Sequence, residues 1–432
     1  MREMKDSGNM WIGATSETWK MIPLKYLASY NDEVLSENTD DEFEFDYIEI
    51  GSVQYGRGII YTEHMKFKNA PSRARRIVRK DDIIVSTVRT YLKAVATIPA
   101  CNNLLIASTG FIVIRPHKVL PRFMNYALLS ESFISLVESH STGISYPAIN
   151  SVDVVKFKIP VPCRSEQERI AAFLDAECAE IDTVLEKTRA SIEEYKKLKQ
   201  AVITQAVTKG IRGDRPMKDS GIEWIGDIPA EWEIKRIKNI CSLKTGSTPS
   251  TGNAEWFNGD LLWFTPGDFN EKFVLLSSNR TLSRTAEKDG VATMIPANSV
   301  LVVCIGGSAG KVGYTNYRCS CNQQITALCK SNIMPKLLMY DVNAGMPFLR
   351  NTTMFTTLPI LNNQAIGGLV LPIPREEEQL SIIEYLDEKC AGIDALIAKK
   401  QQYLTEIENY KKSLIYEYVT GKKEVKTSVL AD

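Results

Sequence analysis

The chain has 432 residues, 44% of them apolar, and its 52 basic side chains balance 52 acidic ones. This length exceeds what one hydrophobic core organises, so we expect at least two domains, and the charge balance argues against a uniformly basic nucleic-acid-binding protein without excluding local basic patches. No apolar run approaches the roughly 20 residues that cross a bilayer, and the N-terminus lacks the apolar centre of a signal peptide, so we expect a cytoplasmic protein.

A short segment near the N-terminus occurs twice. MKDSGNMWIG at residues 4–13 returns as MKDSGIEWIG at residues 217–226, and Trp19 then matches Trp232. Further along, the proline-rich IPVP at residues 159–162 matches LPIP at residues 371–374. Because these borders recur in the same order and at nearly the same distance, the chain is an internal duplication.

The segments between the repeated borders, residues 20–148 and 233–360, share little beyond short apolar runs. Residues 122–135 are the best helix candidate of the first segment. Each variable segment therefore predicts a mixed α and β domain of roughly 140 residues. Their β-branched content predicts strands at residues 47–50, 83–87 and 111–114 in the first segment and at 261–264, 300–305 and 325–329 in the second.

A long helix is predicted after each variable segment, at residues 164–208 and 376–420, and Ser165 is the predicted N-cap of the first. Apolar side chains recur at alternating steps of four and three, which places them on one narrow stripe, and Lys199 and Lys411 share a stripe position. Such a stripe predicts that each copy packs against the other along a seam, forming a spacer of about 65 Å. The seam residues are Leu174, Cys178, Ile181, Leu185, Ile192 and Val202 in the first helix and Leu386, Cys390, Ile393, Ile397, Leu404 and Leu414 in the second.

The predicted fold is α+β with a pseudo-two-fold internal repeat, in which two globular mixed α/β domains are separated by two long antiparallel coiled-coil helices. The predicted boundaries are residues 1–161 for the first conserved segment and domain, 162–213 for the first spacer helix, 214–373 for the second conserved segment and domain, 374–422 for the second spacer helix, and 423–432 for a flexible tail.

The sequence contains no convincing catalytic or cofactor-binding pattern. It has no GxGxxG fingerprint, and GGSAGKVG at residues 306–313 lacks the glycine spacing and the Ser or Thr of a phosphate loop. None of the three histidines forms a metal-type pair, and the nine cysteines include no CxxC motif. The four cysteines between residues 304 and 329 suit small buried hydrophobes better than zinc ligands. We therefore predict a protein without its own catalytic centre, metal or cofactor.

Basic and amide side chains occur in both variable segments. Arginine suits phosphate forks and bidentate contact with guanine, and side-chain amides can read adenine. A solvated charged face is the alternative interpretation, but the presence of such residues in both segments favours nucleic acid. The DNA-binding candidates are Arg73, Arg75, Arg76, Arg79, Lys80, Arg89, Lys93, Lys244, Lys311, Asn322 and Gln323.

Over essentially its full length the chain resembles the specificity (S) subunit of type I restriction–modification systems. The resemblance rests on the two KDSG openings, on IPVPCRSEQERIAAFLDAECAEID with its partner LPIPREEEQLSIIEYLDEKCAGID, on the helix endings QAVTKG and EYVTGK, and on the Cys321-Asn322-Gln323 segment. The first opening departs from the second at Asn9 and Met10. No counterpart of the Asn-Gln pair is evident in the sequence of the first variable segment.

The resemblance implies that each variable segment is a target-recognition domain for one half of a bipartite site in double-stranded DNA. It implies that the helices set the gap and dock two methyltransferase (M) subunits, with restriction (R) subunits in the full complex. S-adenosylmethionine and ATP would then bind those partners and not this chain. Two other functions remain as alternatives: a magnesium-dependent nuclease that uses the acidic residues near Asp40, and a coiled-coil adaptor without DNA binding.

Overall fold

The computed structural model describes residues 3–270, 272–352 and 360–425. They form two compact units, one of residues 1–189 with 402–432 and the other of residues 190–401. Both boundaries fall inside the long helices, so each unit contains one variable segment and one part of each helix. The predicted flexible tail at residues 423–432 lies outside the described residues from position 426 onward.

Short strands build most of the first unit. In chain order they are β1 Met4–Asp6, β2 Ala14–Ser16, β3 Lys20–Pro23, β4 Ala28–Tyr30, β5 Glu44–Ile48, β6 Val53–Gln54, β7 Gly58–Ile59, β8 Glu63–Lys66, β9 Ala74–Val78, β10 Ile83–Ser86, β11 Val95–Thr97, β12 Leu105–Ser108, β13 Phe111–Pro116 and β14 Lys158–Val161. One four-stranded sheet is antiparallel, in the order β11-β10-β13-β4. The other has the order β8-β5-β12-β9, with β5 and β12 parallel.

The antiparallel sheet of the first unit is buried on both faces. Ile83 and Val85 of β10 belong to the core that also contains helical residues, whereas Ile84 belongs to the core shared by the two sheets. Successive side chains of a strand point to opposite faces. A strand buried on both faces therefore appears in the sequence as a continuous apolar run, as β10 does.

The helices that begin in the first unit are α1 Pro121–Leu129, α2 Glu131–Ser139, α3 Ser151–Val154 and α4 Arg164–Lys209. The single helix predicted at residues 122–135 is divided in two, because Ser130 has extended backbone angles and its hydroxyl accepts a hydrogen bond from the Phe133 N–H. The prediction of Ser165 as an N-cap is wrong. α4 already begins at Arg164, and the N–H of Glu166 bonds to the Cys163 carbonyl.

The second unit repeats this organisation. Its strands are β15 Met217–Asp219, β16 Asp227–Pro229, β17 Glu233–Arg236, β18 Ser242–Thr245, β19 Phe257–Phe264, β20 Arg280–Leu282, β21 Ser299–Val303, β22 Val312–Thr315, β23 Ser320–Cys321, β24 Ile325–Cys329 and β25 Val370–Ile373. The helices that begin in it are α5 Ile237–Ile240, α6 Arg284–Lys288, α7 Pro335–Thr352, α8 Asn363–Gly368 and α9 Glu376–Val419. Its antiparallel sheet, β18-β24-β21-β22, has the topology of β4-β13-β10-β11. The duplication therefore includes the variable segments, although their sequences share little.

The predicted fold class, α+β with an internal repeat of mixed domains and long antiparallel helices, is confirmed. All six predicted strand segments overlap observed strands, with ends shifted by a few residues. None of the helices in the described ranges combines the length and the apolarity that a membrane span requires.

In each unit, a hydrogen bond joins the start of a long helix to a tryptophan that follows the repeated opening. The indole N–H of Trp19 donates to the Glu166 carboxylate at 2.9 Å, and that of Trp232 donates to Glu378 at 2.8 Å. Both tryptophans are fully buried. These repeated bonds explain why Trp19 and Trp232 match in the sequence while their surroundings differ.

The long helices pack antiparallel within each unit. In the first unit, Lys411 of α9 donates to Asp182 of α4 at 2.7 Å, and the rings of Phe173 and Tyr418 lie 4.6 Å apart. Residue numbers thus rise along one helix as they fall along the other. The second unit contains the equivalent pair, Lys199 and Asp394, at 2.8 Å. Of the seam residues named from the sequence, Val202 and Leu404 are half-buried and the other ten are buried.

We expect the Asp394→Asn variant to be less stable than the wild type by about 1–3 kcal/mol. The substitution removes the Asp394 carboxylate that pairs with the Lys199 ammonium, whose side chain is 9% exposed. The loss falls below that for a fully buried pair because Asp394 is 28% exposed. Urea denaturation measures it. The matched control is Glu168→Gln, which breaks the exposed Arg164–Glu168 pair and should cost under about 0.5 kcal/mol. Equal losses in both variants would show that the buried pair does not stabilise the helices.

Asp341 of α7 is a fully buried carboxyl group inside an apolar core. Neither of its carboxyl oxygens has a hydrogen-bond partner among the residues that the structure describes. Burial alone raises the pKa of this carboxyl well above its usual value. The folded state therefore binds the proton more tightly than the unfolded chain does. That contribution to stability is complete below the unfolded pKa of about 3.9 and is lost as the pH rises through the folded pKa.

We expect Asp341→Asn to raise the melting temperature at pH 8, because the amide cannot ionise in the apolar core. The gain should be about 2–4 °C for each kcal/mol of removed desolvation cost. The difference from the wild type should shrink as the pH is lowered towards the unfolded pKa of about 3.9, below which the carboxyl is protonated in both states. Thermal melts followed by circular dichroism between pH 4 and 8 test this. A difference that does not change with pH would contradict a buried, neutral carboxyl.

Candidate nucleic-acid interface

The DNA-binding candidates between residues 73 and 80 form a cluster in the sequence, and the structure divides this cluster between the two ends of one strand. Arg73 precedes β9, Arg75 and Arg76 lie on it, and Arg79 and Lys80 follow it. β9 is the edge strand of its sheet and its five residues span about 13 Å. The cluster is therefore continuous in sequence and not in space.

The Arg79 end of β9 is neutralised by acidic side chains. The Arg79 guanidinium donates to Glu33 at 2.7 Å, and Arg115 donates to both Glu33 and the buried Asp82. Hydrogen bonds from Arg115 and Arg79 lower the pKa of the Glu33 carboxyl. Lys80 is exposed and has no ion pair among the described residues. Arg79 thus belongs to an internal charge network.

Arg75 and Arg76 are consecutive strand residues, and Arg75 lies at a register irregularity in the pairing of β9 with β12. The Arg75 guanidinium lies 5.1 Å from the centre of the Phe67 ring and donates to the Ala74 carbonyl. Arg76 is half-buried, and burial lowers the pKa of its guanidinium. Its Nε has no hydrogen-bond partner in the described ranges. Arg75 and Arg76 are thus half-buried, whereas Arg73 is exposed to solvent.

The Arg73 end of β9 is joined to two loops by backbone hydrogen bonds. The Thr109 N–H donates to the Arg73 carbonyl at 2.8 Å, and the N–H and hydroxyl of Thr87 donate to the Gly110 carbonyl at 2.8 and 2.9 Å. The Ile149 N–H donates to the Thr87 carbonyl at 2.8 Å. We call residues 73, 87–93, 108–110 and 142–149 the first rim. Hydrogen bonds therefore connect the segments that carry Arg73 and Arg89, although these residues are distant in sequence.

Arg89 and Lys93 are the remaining DNA-binding candidates of the first unit. Arg89 is exposed, and its guanidinium lies 5.4 Å from the centre of the Tyr146 ring. Lys93 is half-buried and pairs with Glu138 at 3.3 Å. Tyr146 was not singled out in the sequence. Its only local signal was a tyrosine before proline in the Ser- and Gly-containing stretch STGISYP, at residues 141–147.

The second unit contains the same hydrogen-bond arrangement with other side chains. The Cys304 N–H donates to the Gln324 carbonyl at 2.7 Å, as Thr87 donates to Gly110, and the Leu361 N–H donates to the Cys304 carbonyl. We call residues 304–311, 322–324 and 361 the second rim. By this match Gln323 occupies the position of Thr109. The first domain therefore does have a counterpart of the Asn-Gln pair, namely Ser108-Thr109, which no sequence similarity reveals.

The amide candidates of the second rim differ in their accessibility. Asn322 is buried, and its side chain accepts from the Gln324 N–H and donates to the Gln324 side chain, both at 3.1 Å. Gln323 is exposed and accepts a hydrogen bond from the Thr248 hydroxyl. Asn322 thus holds the turn, and Gln323 is the side chain that faces outward.

The remaining basic candidates of the second unit are both exposed. Lys244 lies on the edge strand β18, two residues before Gly246, whose N–H bonds to the Ile325 carbonyl next to the second rim. Lys311 lies in the glycine-rich stretch, and its ammonium donates to the Phe269 carbonyl at 3.1 Å. Lys244 has no ion pair within the described part of the chain, whereas Lys311 is partly engaged.

Two groups of side chains that could serve a nuclease or a zinc site have structural roles instead. Glu42, in the acidic stretch near Asp40, pairs with Lys66 at 2.7 Å and also with Lys68. Cys319, Cys321 and Cys329 are buried in one apolar cluster, where burial raises the pKa of Cys319 to about 12. Within the described ranges, no group of three or more His, Cys, Asp or Glu side chains is placed to hold a metal ion.

Comparisons with known proteins agree with this duplicated architecture. The sequence profile described as type I restriction modification DNA specificity domain matches residues 16–194 and again 229–408. The MjaVIII type I specificity subunit of Methanocaldococcus jannaschii is 24% identical, over 95% of this chain and 94% of that protein. The HindI specificity subunit of Haemophilus influenzae is 23% identical, over 68% of this chain and 77% of that protein.

A solved chain from a study of complex assembly and conformational transition of the type I restriction–modification system has a similar fold. Its TM-score is 0.71 at 21% identity, over 95% of this chain and 99% of that chain. The family profile covers most of both halves of the sequence. This chain therefore belongs to the specificity subunits of type I restriction–modification systems and contains two copies of their DNA specificity domain.

Proposed function

We propose that this chain is the DNA sequence-recognition subunit of a type I complex, in which each variable domain reads one half of a bipartite site. The observation that carries the proposal is the pair of rims. Their backbone hydrogen bonds correspond, whereas the side chains that they present differ, as with Thr109 and Gln323. One scaffold with two different surfaces suits the reading of two different half-sites.

The chemistry of the exposed side chains supports double-stranded DNA as the partner. Arg73 and Arg89 in the first unit and Lys244 in the second are exposed and lack ion pairs in the described ranges. Cations of this kind neutralise phosphates, and the outward amide of Gln323 has the donor and acceptor that recognise adenine. By contrast, Glu42 in the acidic stretch of the nuclease alternative is engaged by Lys66 and Lys68.

The long helices take the role of a spacer in this proposal. They set the gap between half-sites and dock two M subunits, and R subunits join in the full complex. S-adenosylmethionine and ATP bind those partners, while this chain is non-catalytic, carries no cofactor and acts in the cytoplasm. The recognition domains correspond to residues 1–161 and 214–373, and the spacer helices to residues 162–213 and 374–422. The half-buried and exposed faces of α4 and α9 leave room for such docking.

We expect Arg73→Ala and Lys244→Ala each to weaken DNA binding by the complex with M subunits. Each substitution should reduce the slope of log affinity against log salt by about 0.9 for every lost phosphate contact. Fluorescence anisotropy with a duplex between about 50 and 200 mM salt measures this slope. Arg79→Ala is the matched control, because Glu33 already engages that guanidinium. An identical slope for the wild type and both test variants would count against phosphate contacts at these positions.

We expect a matched deletion of one heptad from both helices, residues 186–192 and 398–404, to change the gap of the recognised site. Removing seven residues keeps the apolar stripe in phase, so the helices should still pair. Both half-site sequences should stay the same, because neither rim is altered. Methylation mapping with the M subunits present reads both properties together. A changed half-site sequence with an unchanged gap would contradict the spacer role.

A further inference from the structure

The loop between β10 and β11 in the first rim has an equivalent of the same length in the second. The Ser86 N–H bonds to the Ala94 carbonyl, as the Val303 N–H bonds to the Lys311 carbonyl, both at 2.9 Å. Inside the loop, the Leu92 N–H bonds to Arg89 and the Ala309 N–H bonds to Gly306. Residues 87–94 therefore match residues 304–311 one by one. The glycine-rich stretch that resembles a phosphate loop is the second copy of the Arg89 loop.

The two loops share their unusual backbone angles. Arg89 has φ 51° where Gly306 has φ 92°, and Lys93 has φ 52° where Gly310 has φ 90°. Only glycine adopts positive φ without a steric cost, so the second loop has the unstrained residue at both positions. In the first unit a Cβ-bearing residue occupies each position at a cost in stability. Strain of this kind persists where the side chain has a use.

Arg89 and Lys93 both have strained backbone angles, but their side chains make different contacts. Lys93 pairs with Glu138, so a contact inside the unit accounts for its side chain. Arg89 has no acidic partner among the described residues and is exposed. Its planar group lies against Tyr146, a ring that is itself 67% exposed. Stacking restricts rotation of the guanidinium while its N–H edge stays open to a ligand.

Tyr146 lies in a short hairpin loop, residues 142–148, that one isolated β-bridge closes. Thr142 and Ala148 exchange backbone hydrogen bonds of 2.9 Å, and Ala148 also bridges to Val88 next to Arg89. Ile144, at its tip, is fully exposed. The Thr90 N–H points to the Pro147 carbonyl at 3.4 Å, which joins the hairpin to the Arg89 loop. The exposed tip of this loop and the exposed Arg89 therefore lie on neighbouring segments that hydrogen bonds join.

We propose that Arg89 reads a guanine in the major groove of the first half-site, with Tyr146 as the positioning residue that holds its guanidinium. The inference rests on the proposed DNA-recognition function and adds a base and a residue to it. The two donors of a guanidinium edge match the O6 and N7 acceptors of guanine, a pairing that depends on a fixed orientation. A phosphate contact needs no such orientation, and a flexible lysine in unstrained backbone would supply it.

The test compares variants of the full chain, assembled with M subunits, by selection of bound duplexes from a pool with randomised half-sites. Arg89→Gly installs the residue that the second loop has at this position, so the variant should fold with an unchanged or higher melting temperature. We expect it to lose the preference for guanine at one position of the first half-site, by a factor between about 5 and 150. The second half-site should be unaffected.

Three more variants define the roles. Arg89→Lys should keep most of the affinity and lose the same guanine preference, because an ammonium cannot make the bidentate contact. Tyr146→Phe should retain the preference, since the ring face remains, whereas Tyr146→Ala should weaken it at that same position. Arg57→Ala, at an exposed arginine that bonds to Gln54, is the matched control and should select the wild-type site.

Several results would overturn the inference. An unchanged selected site for Arg89→Gly would remove any reading role. Uniformly weaker binding with a smaller salt slope and the same base preference would make Arg89 a phosphate contact. Loss of association with M subunits in the absence of DNA would make the surface a protein interface. If the wild-type complex selected no bipartite site at all, the proposed function itself would fail, which the wild-type arm distinguishes from the variant arms.

Discussion

Each unit depends on an antiparallel helix pair whose register is fixed by one lysine and one aspartate. The lysine is Lys411 in the first unit, where it is half-buried, and Lys199 in the second, where it is buried. Apolar seam residues tolerate a slip of one heptad, because apolar side chains of similar size recur along the stripe. A lysine that leaves its carboxylate inside the seam loses far more. Lys411 also donates to the Gly56 carbonyl at 3.3 Å, and the Lys199 ammonium lies 4.6 Å from the Phe273 ring. The residues that fix helix register thus also contact the variable domain of their own unit.

This coupling explains how the variable segments diverged without loss of the fold. The contacts between domain and helix recur with the same residue types, as Tyr126 with Asp175 and Tyr340 with Asp387 show at 2.7 and 2.8 Å. Within each rim, by contrast, the segments are joined mainly by backbone hydrogen bonds. Such bonds place few demands on side-chain identity. Substitutions in a rim therefore change the presented chemistry while the helix contacts keep the stability.

The sequence predicted the parts of the structure that local periodicity determines. The heptad stripe, the repeated borders and the β-branched runs are local signals, and they gave the helices and most strands. The rims could not be predicted, because contacts such as Arg73 with Thr109 join residues that are distant in sequence. For the same reason the run from Arg73 to Lys80 suggested one cluster where the structure has two ends of a strand. Asn322 suggested base recognition, yet its amide holds a turn.

Charge alone also misidentifies the important side chains of the first unit. Arg79 carries the same charge as Arg89 and is also exposed, but its guanidinium pairs with Glu33, with which Arg115 pairs as well. Arg89 differs from Arg79 in two respects. Its backbone is left-handed at a position where the duplicate has glycine, and its guanidinium has no acidic partner in the described ranges. Lys93 has the same strained backbone, but its ammonium forms an ion pair with Glu138 that offsets part of the strain energy. In a duplicated protein the second copy supplies the unstrained reference, so strain found in one copy alone points to side chains retained for recognition.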